Sequence, residues 1–322
     1  MINYPIKFHP ILQDKIWGGE KLKKYFNKNT NRKNVGESWE ISGVEGNISV
    51  VSNGSESGKK IDDLIAEYKA DLVGKKVYEH FGNDFPLLIK FIDARTDLSV
   101  QLHPNDELAK QRHNSFGKTE MWYVMQADEG SKLNIGFNRD LDKREYLNYL
   151  EKGKITEVLN FEEVKPGDSV FINTGKVHAI GGGVLLAEIQ QTSDITYRIF
   201  DWNRVDSDGN SRELHTALAL DAIDFEKKDD YWLEYDKETN KSSTIASCEY
   251  FTTNFLPVKG EVEKDYSALD SFVIYMCVNG MAEISIGEHS EKIKKGESLL
   301  IPAISKKFRI SATEAELLEV YI

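Results

Sequence analysis

The stretch VKPGDSVFINTGKVHAI, residues 164–180, is echoed late in the chain by IKKGESLLIPAISKKFRI, residues 293–310. In both, a basic residue, a glycine and an acidic residue signal a turn, an apolar run of strand character follows, and Asn173 or Pro302 marks the next turn. Two copies of one β-motif predict two related β-units. The copies differ in their chemistry. The first has His178 just past its turn, whereas the second offers Lys306 and Lys307 nearby and no histidine, carboxylate or cysteine suited to a metal. Chemistry is therefore expected in the first unit and a structural role in the second.

Working outward, the remaining sequence is β-rich with a few helices inserted. Short runs bounded by Gly, Asn or Pro, such as LSVQLHP, EMWYVMQ, VLLAEIQ and ITYRIF, read as strands. Helical spacing of apolar residues appears over Ile61 to Phe81, Asp142 to Leu150 and Arg212 to Ile223, which predicts helical insertions at about 61–82, 139–152 and 212–224. The polar stretch 227–243 reads as a connection. The predicted organisation is an N-terminal unit over 1–226 and a small C-terminal β-unit over 244–322.

The 322 residues, 40% of them hydrophobic, are enough to fill the cores of two such units. With 41 Lys and Arg against 53 Asp and Glu, the net charge of −12 argues against a nucleic-acid partner, which requires a basic footprint. A small anionic ligand needs only a local group of cations and remains compatible. No run approaches the roughly 18 apolar residues of a membrane span, and MINYPIKFHP lacks the pattern of a secretory leader. No membrane partner and a cytoplasmic location are expected. Cys248 and Cys277 are too few for a disulfide framework and read as buried apolar residues.

The candidate site starts from LSVQLHPND, residues 98–106. In a strand, Gln101 and His103 project from the same face. Glu120 begins the next strand signal and His178 follows the turn NTGKV, so the set offers two imidazoles, one carboxylate and one amide oxygen. That is donor chemistry for zinc with positions left open, and iron or manganese would also accept it. Each member alone has a bland reading: a turn cap for His103, a solvated charge for Glu120, a surface amide for Gln101, a loop hydrogen bond for His178. Their ordered combination lifts them above it. His9, His80, His113, His215 and His289 lack such company and are read as structural. Lys90, Arg95 and Lys176 are read as solvated charges, and Trp17 and Trp39 as core.

GDSVFINTGKVH resembles the second motif of the cupin superfamily, and PLLIKFIDARTDLSVQLHPND, GKTEMWYV and HAIGGGVLLAEIQQTSDITYRIFDW resemble the short bacterial form of type I mannose-6-phosphate isomerase. The likeness runs from WGGEKL (17–22) and GESWEIS (36–42) to LHTALALDAID (214–224). It implies two cupin-type β-barrel, or jelly-roll, units, the N-terminal one metal-binding and the C-terminal one without ligands. It also implies one zinc ion per chain on Gln101, His103, Glu120 and His178, substrate contacts from Ser99 and Lys118, and catalytic roles for Glu188 and Arg198. The activity implied is the interconversion of mannose 6-phosphate and fructose 6-phosphate, a sugar phosphate being the partner. The rival readings are an iron-dependent oxygenase cupin and a sugar-phosphate binder without turnover.

Overall fold

Alternation along three neighbouring strands sets the architecture. Leu87–Asp93, Val184–Gln191 and Glu120–Ala127 lie side by side in a six-stranded antiparallel sheet completed by Ile11–Gly19, Val35–Ser42 and Ser169–Ile172. Because side chains alternate along a strand, Leu87, Ile89, Phe91, Met121, Tyr123, Met125, Leu185, Ala187 and Ile189 all enter one core. Trp122, Val124, Leu186 and Ile92 enter another on the opposite face. Both faces are covered, which is why these strands read as nearly continuous apolar runs. The computed structural model describes residues 2–205 and 208–322.

The face bearing Trp122 looks onto a five-stranded sheet ordered Tyr197–Phe200, Val100–Leu102, His178–Ile180, Lys132–Phe137, Leu159–Glu163. Outside that sheet, Val100, Leu102, Tyr197 and Ile199 pack with Tyr146 of the helix Lys143–Glu151 and Ala219 of the helix Thr216–Leu220. The other face of the six-stranded sheet packs on a C-terminal sheet that supplies Ile245, Phe255, Phe272 and Leu318 to the shared core. Tyr123 stacks on Phe255 with centroids 6.0 Å apart, and Phe85 meets Phe272 at 5.2 Å. The C-terminal sheet keeps a second core of its own around Leu256, Tyr275, Cys277, Ile284 and Leu317.

The chain is thus mainly β with inserted helices, as expected. Among the described residues the strand pairings run as open paths rather than a closed ring. The sequence repeat is also a structural one. Gly167 and Gly296 both take positive φ, +89° and +81°, in turns where Asp168 accepts from Lys165 N and Glu297 from Lys294 N. Each turn leads into a four-residue strand, Ser169–Ile172 or Ser298–Ile301.

Four details depart from expectation. The helix expected over 212–224 is confined to Thr216–Leu220, with residues 212–215 irregular ahead of it. The long helical run over 61–81 is three short helices, Ile61–Tyr68, Ala70–Val73 and Lys75–Phe81, broken where Lys69 and Gly74 take positive φ. Two further helices, Lys21–Phe26 and Asp106–His113, carry too few apolar residues to announce themselves by periodicity. The stretch 227–243 is more than a connection, since Phe171 N donates to Tyr231 O and Leu233 N to Ser169 O along the sheet edge. Among the described residues, no helix is long and apolar enough to cross a membrane.

Candidate metal centre and substrate cavity

Register brings the predicted residues together. Gln101 is the direct cross-strand partner of His178 on one side and of Arg198 on the other, so the three side chains stand in a row on the inner face of the five-stranded sheet. Opposite them, Lys90 and Glu188 are cross-strand partners, and Glu188 also pairs with Trp122. His103, Glu120 and His178 are each 1% exposed, and their ligand atoms all lie within 4.8 Å of one another.

The two imidazoles are oriented for a cation. His103 Nδ1 donates to Ile195 O and His178 Nδ1 to Lys176 O, both at 2.8 Å, so in the neutral rings each Nε2 is left as an acceptor. Those Nε2 atoms face each other 3.1 Å apart. Neither oxygen of Glu120 has a hydrogen-bond partner of good geometry, although His103, His178 and Lys118 lie at 3.5, 3.5 and 3.3 Å. Lys118 supplies one positive charge at the edge of this cluster; two imidazole nitrogens and a carboxylate converging on one point are the donor set of a divalent metal, which the residues present therefore fit. Burial, with Lys118 close by, keeps His103 well below its ordinary value, and burial takes His178 down to about 4, so both rings are neutral ligands at pH 7. Burial pushes Glu120 up to about 7, against the pull of Lys118.

The remaining predicted residues surround this point. Lys118 Nζ is 3.2 Å from His103 Nε2. Ser99 Oγ donates to Gln101 Oε1 at 3.2 Å and accepts from Arg198 Nε at 3.3 Å. Arg198 also donates through Nη1 to Glu213 O, and its backbone exchanges hydrogen bonds with His215. Glu188 accepts from Lys90 Nζ and Trp122 Nε1, each at 2.9 Å.

Two lysines read as solvated charges are not. Lys90 is 5% exposed, bonded to Glu188 and Gln190 and set over the Trp39 ring. Lys176 is buried beside Tyr231 and Asp230. Arg95 is exposed as expected. Trp17 and Trp39, read as core, border a cavity of about 120 Å³ that also takes in Ser99, Gln101, His178 and Glu188. Its lining carries five cations, Lys15, Lys90, Lys118, Arg198 and Arg212, against three carboxylates, Glu37, Glu188 and Asp194. In a chain of net charge −12, this local excess of positive charge suits an anionic ligand.

Sequence reasoning passed over Lys15, Glu37, Asp194 and Arg212. Glu37 lies two residues from Trp39, so alternation alone puts both on one face; Glu37 accepts from Trp39 Nε1 at 2.6 Å. Asp194 is exposed at the cavity and has no hydrogen bond or ion pair among the described residues. Arg212 is held by a two-pronged bond to Asp201, at 2.8 and 2.6 Å, from irregular backbone ahead of the helix Thr216–Leu220, where the sequence predicts a helix to begin.

Residues 6–137 match the family model described as phosphomannose isomerase type I, catalytic domain, and residues 241–322 that of the mannose-6-phosphate isomerase cupin domain. The chain is 32% identical to a mannose-6-phosphate isomerase of Streptococcus mutans, over 95% of this chain and 94% of that one. It is 33% identical to a mannose-6-phosphate isomerase of Bacillus subtilis over 96% of each. A crystal structure of the mannose 6-phosphate isomerase from Bacillus subtilis superposes with a TM-score of 0.90 at 31% identity, covering 99% of this chain and 100% of that one.

Proposed function

This chain belongs to the type I mannose-6-phosphate isomerase family, and on that premise we propose that it interconverts D-mannose 6-phosphate and D-fructose 6-phosphate through a cis-enediol in the cytoplasm. We read 1–226 and 244–322 as its two cupin-type units, with the metal in the first. The observation that carries the reading is the meeting of two imidazole acceptor nitrogens with a buried carboxylate that has no hydrogen bond of good geometry, beside a cavity of net positive lining. The ligands are His103, Glu120 and His178, with Gln101 beside them contributing its amide oxygen. Zinc held there supplies a Lewis acid for the negative charge that develops on the substrate oxygens.

The protein's own groups do the rest. Ser99 and Lys118 bind the substrate. Arg198, whose charge is permanent, stabilises the enediolate rather than moving protons. Arg212, whose Nε and Nη2 are fixed by Asp201, holds the phosphate through its other edge, Nη1 and the second Nη2 hydrogen. A carboxylate must take the proton from C2 and return it to C1 while the hydroxyl proton passes from O2 to O1. Glu188 is a weak base for that step, because Lys90 and Lys118 outweigh its burial and hold it at about 2. Its part is to fix the Lys90 ammonium beside the reacting oxygens. Asp194, a cavity carboxylate with no cation bonded to it, is the proton carrier.

The test is a coupled assay of fructose 6-phosphate formation from mannose 6-phosphate, run on purified protein before chelation, after it, and with zinc restored. Chelator-sensitive turnover recovered by zinc is expected. Zinc-loaded protein without turnover would sink the reading and send the search to other sugar phosphates.

A further inference from the structure

Asp106 opens the helix Asp106–His113 three residues after His103, with Asn105 as its cap. Its carboxylate turns away from the helix and gathers three donors from elsewhere. Oδ1 accepts from Gly117 N at 2.7 Å and Gln191 Nε2 at 3.1 Å, and Oδ2 accepts from Tyr250 OH at 2.5 Å. Gln191, 4% exposed, in turn takes Thr119 N on its Oε1 at 2.8 Å and donates its own N to Thr119 O at 3.2 Å. The segment from Gly117 to Glu120 is therefore held at both its first and third residues. Lys118 and Glu120, whose side chains meet at 3.3 Å, flank Thr119 in that segment. Gly117 lies so close that a β-carbon there would come within 2.7 Å of Asp106 N.

Tyr250 comes from the turn between Ser243–Ser247 and Thr252–Asp265, in the C-terminal sheet, which contributes none of the proposed ligands. We propose that Tyr250 and Asp106 are positioning residues: through Gly117 and Gln191 they fix where Lys118 and Glu120 stand. The inference rests on the roles given above to those two side chains. By it the C-terminal unit takes part in the reaction through one hydroxyl. A displacement on the order of 1 Å in a catalytic group can cost about a hundredfold in rate, so a remote clamp of this kind has a measurable effect. Asp106 and Tyr250 are both partly exposed, so water replaces the lost partner when the tyrosine hydroxyl is removed and the fold is not left with a stranded buried charge.

The experiment compares the full-length, zinc-loaded Tyr250→Phe, Asp106→Ala and Asp106→Asn variants and the Tyr250→Phe/Asp106→Ala double variant. It reads kcat and KM separately, bound zinc, and melting temperature. Asp106→Ala should lower kcat about 10- to 100-fold. Asp106→Asn, whose amide oxygen still accepts from Gly117 and Gln191, should recover to within about threefold of wild type. Tyr250→Phe should lower kcat about three- to tenfold with its melting temperature moved by no more than about 3 °C. The double variant should be no worse than Asp106→Ala, since the tyrosine acts only through the carboxylate. Wild-type kcat in Tyr250→Phe, multiplying effects in the double variant, or losses that follow melting temperature and that asparagine does not rescue would each overturn the inference. A Lys118→Ala reference separates the levels. If it is impaired while Tyr250→Phe is intact, the clamp alone fails; if it turns over normally, the reading of the site fails with it.

Discussion

Lys90 and Glu188 face each other across two paired strands with the ammonium 2.9 Å from the carboxylate, and both side chains are almost wholly buried. Burial alone would raise the Glu188 carboxyl, but Lys90 and Lys118 outweigh it and bring it from its ordinary 4.5 down to about 2. Between those values the unfolded chain binds the proton and the folded one does not. The stabilisation of the ionised Glu188 by Lys90, Lys118 and Trp122 is therefore complete well above pH 4.5 and is lost as the pH falls through about 2. Its size is on the order of 3 kcal/mol. Glu188→Gln should lose about 3 kcal/mol at pH 7, because it strips Lys90 of its nearest counter-ion. It should also flatten the dependence of stability on pH between 4.5 and 2. Urea unfolding at a series of pH values measures both, and a slope equal to that of wild type would rule out the ion pair as its source.

The candidate metal centre predicts a separation between ligands and neighbours. His103→Ala and His178→Ala should lose bound metal and turnover together. Arg198→Ala should keep its metal and lose about a hundredfold in kcat, the usual consequence of removing one stabiliser of developing charge. Metal analysis beside steady-state kinetics decides it. Full turnover in Arg198→Ala would remove that residue from the mechanism.

Much of this arrangement is readable from residue order, for a physical reason. A strand has a period of two, so Gln101 and His103, or Glu37 and Trp39, declare a common face without any coordinates. The KPGD and KKGE turns declare themselves because only glycine takes their positive φ cheaply. What stayed hidden depends on contacts between distant segments. Lys90 is buried because Glu188, 98 residues later, lies opposite it, and nothing near position 90 says so beyond a charge inside the apolar run LLIKFID. Asp194 sits on irregular backbone, where no period assigns a face, and the helical period read from Arg212 onward misplaces Arg212, which precedes the helix Thr216–Leu220. The helix break at Lys69 is likewise invisible, since lysine is an ordinary helix former and its φ of 49° is imposed from outside.

Asp194 and Arg212 line the same cavity, and the different roles proposed for them predict different behaviour in their variants. Asp194→Asn should lower kcat by roughly 100-fold or more with KM little changed, the signature of a lost proton carrier. Arg212→Ala should raise KM for mannose 6-phosphate about tenfold and leave kcat within a factor of about three, because phosphate binding is nearly uniform along the reaction. The reverse pattern in either variant would exchange or cancel the assignments.

The core in which Tyr123, Phe85 and Leu87 pack with Phe255, Phe272 and Leu318 belongs to neither end of the chain alone. Cutting the chain near residue 243 would leave one wall of that core facing water on each fragment. The two proposed cupin-type units thus resist being treated as interchangeable modules. Shuffling the C-terminal piece between homologues preserves folding only when the residues that meet across this seam travel together.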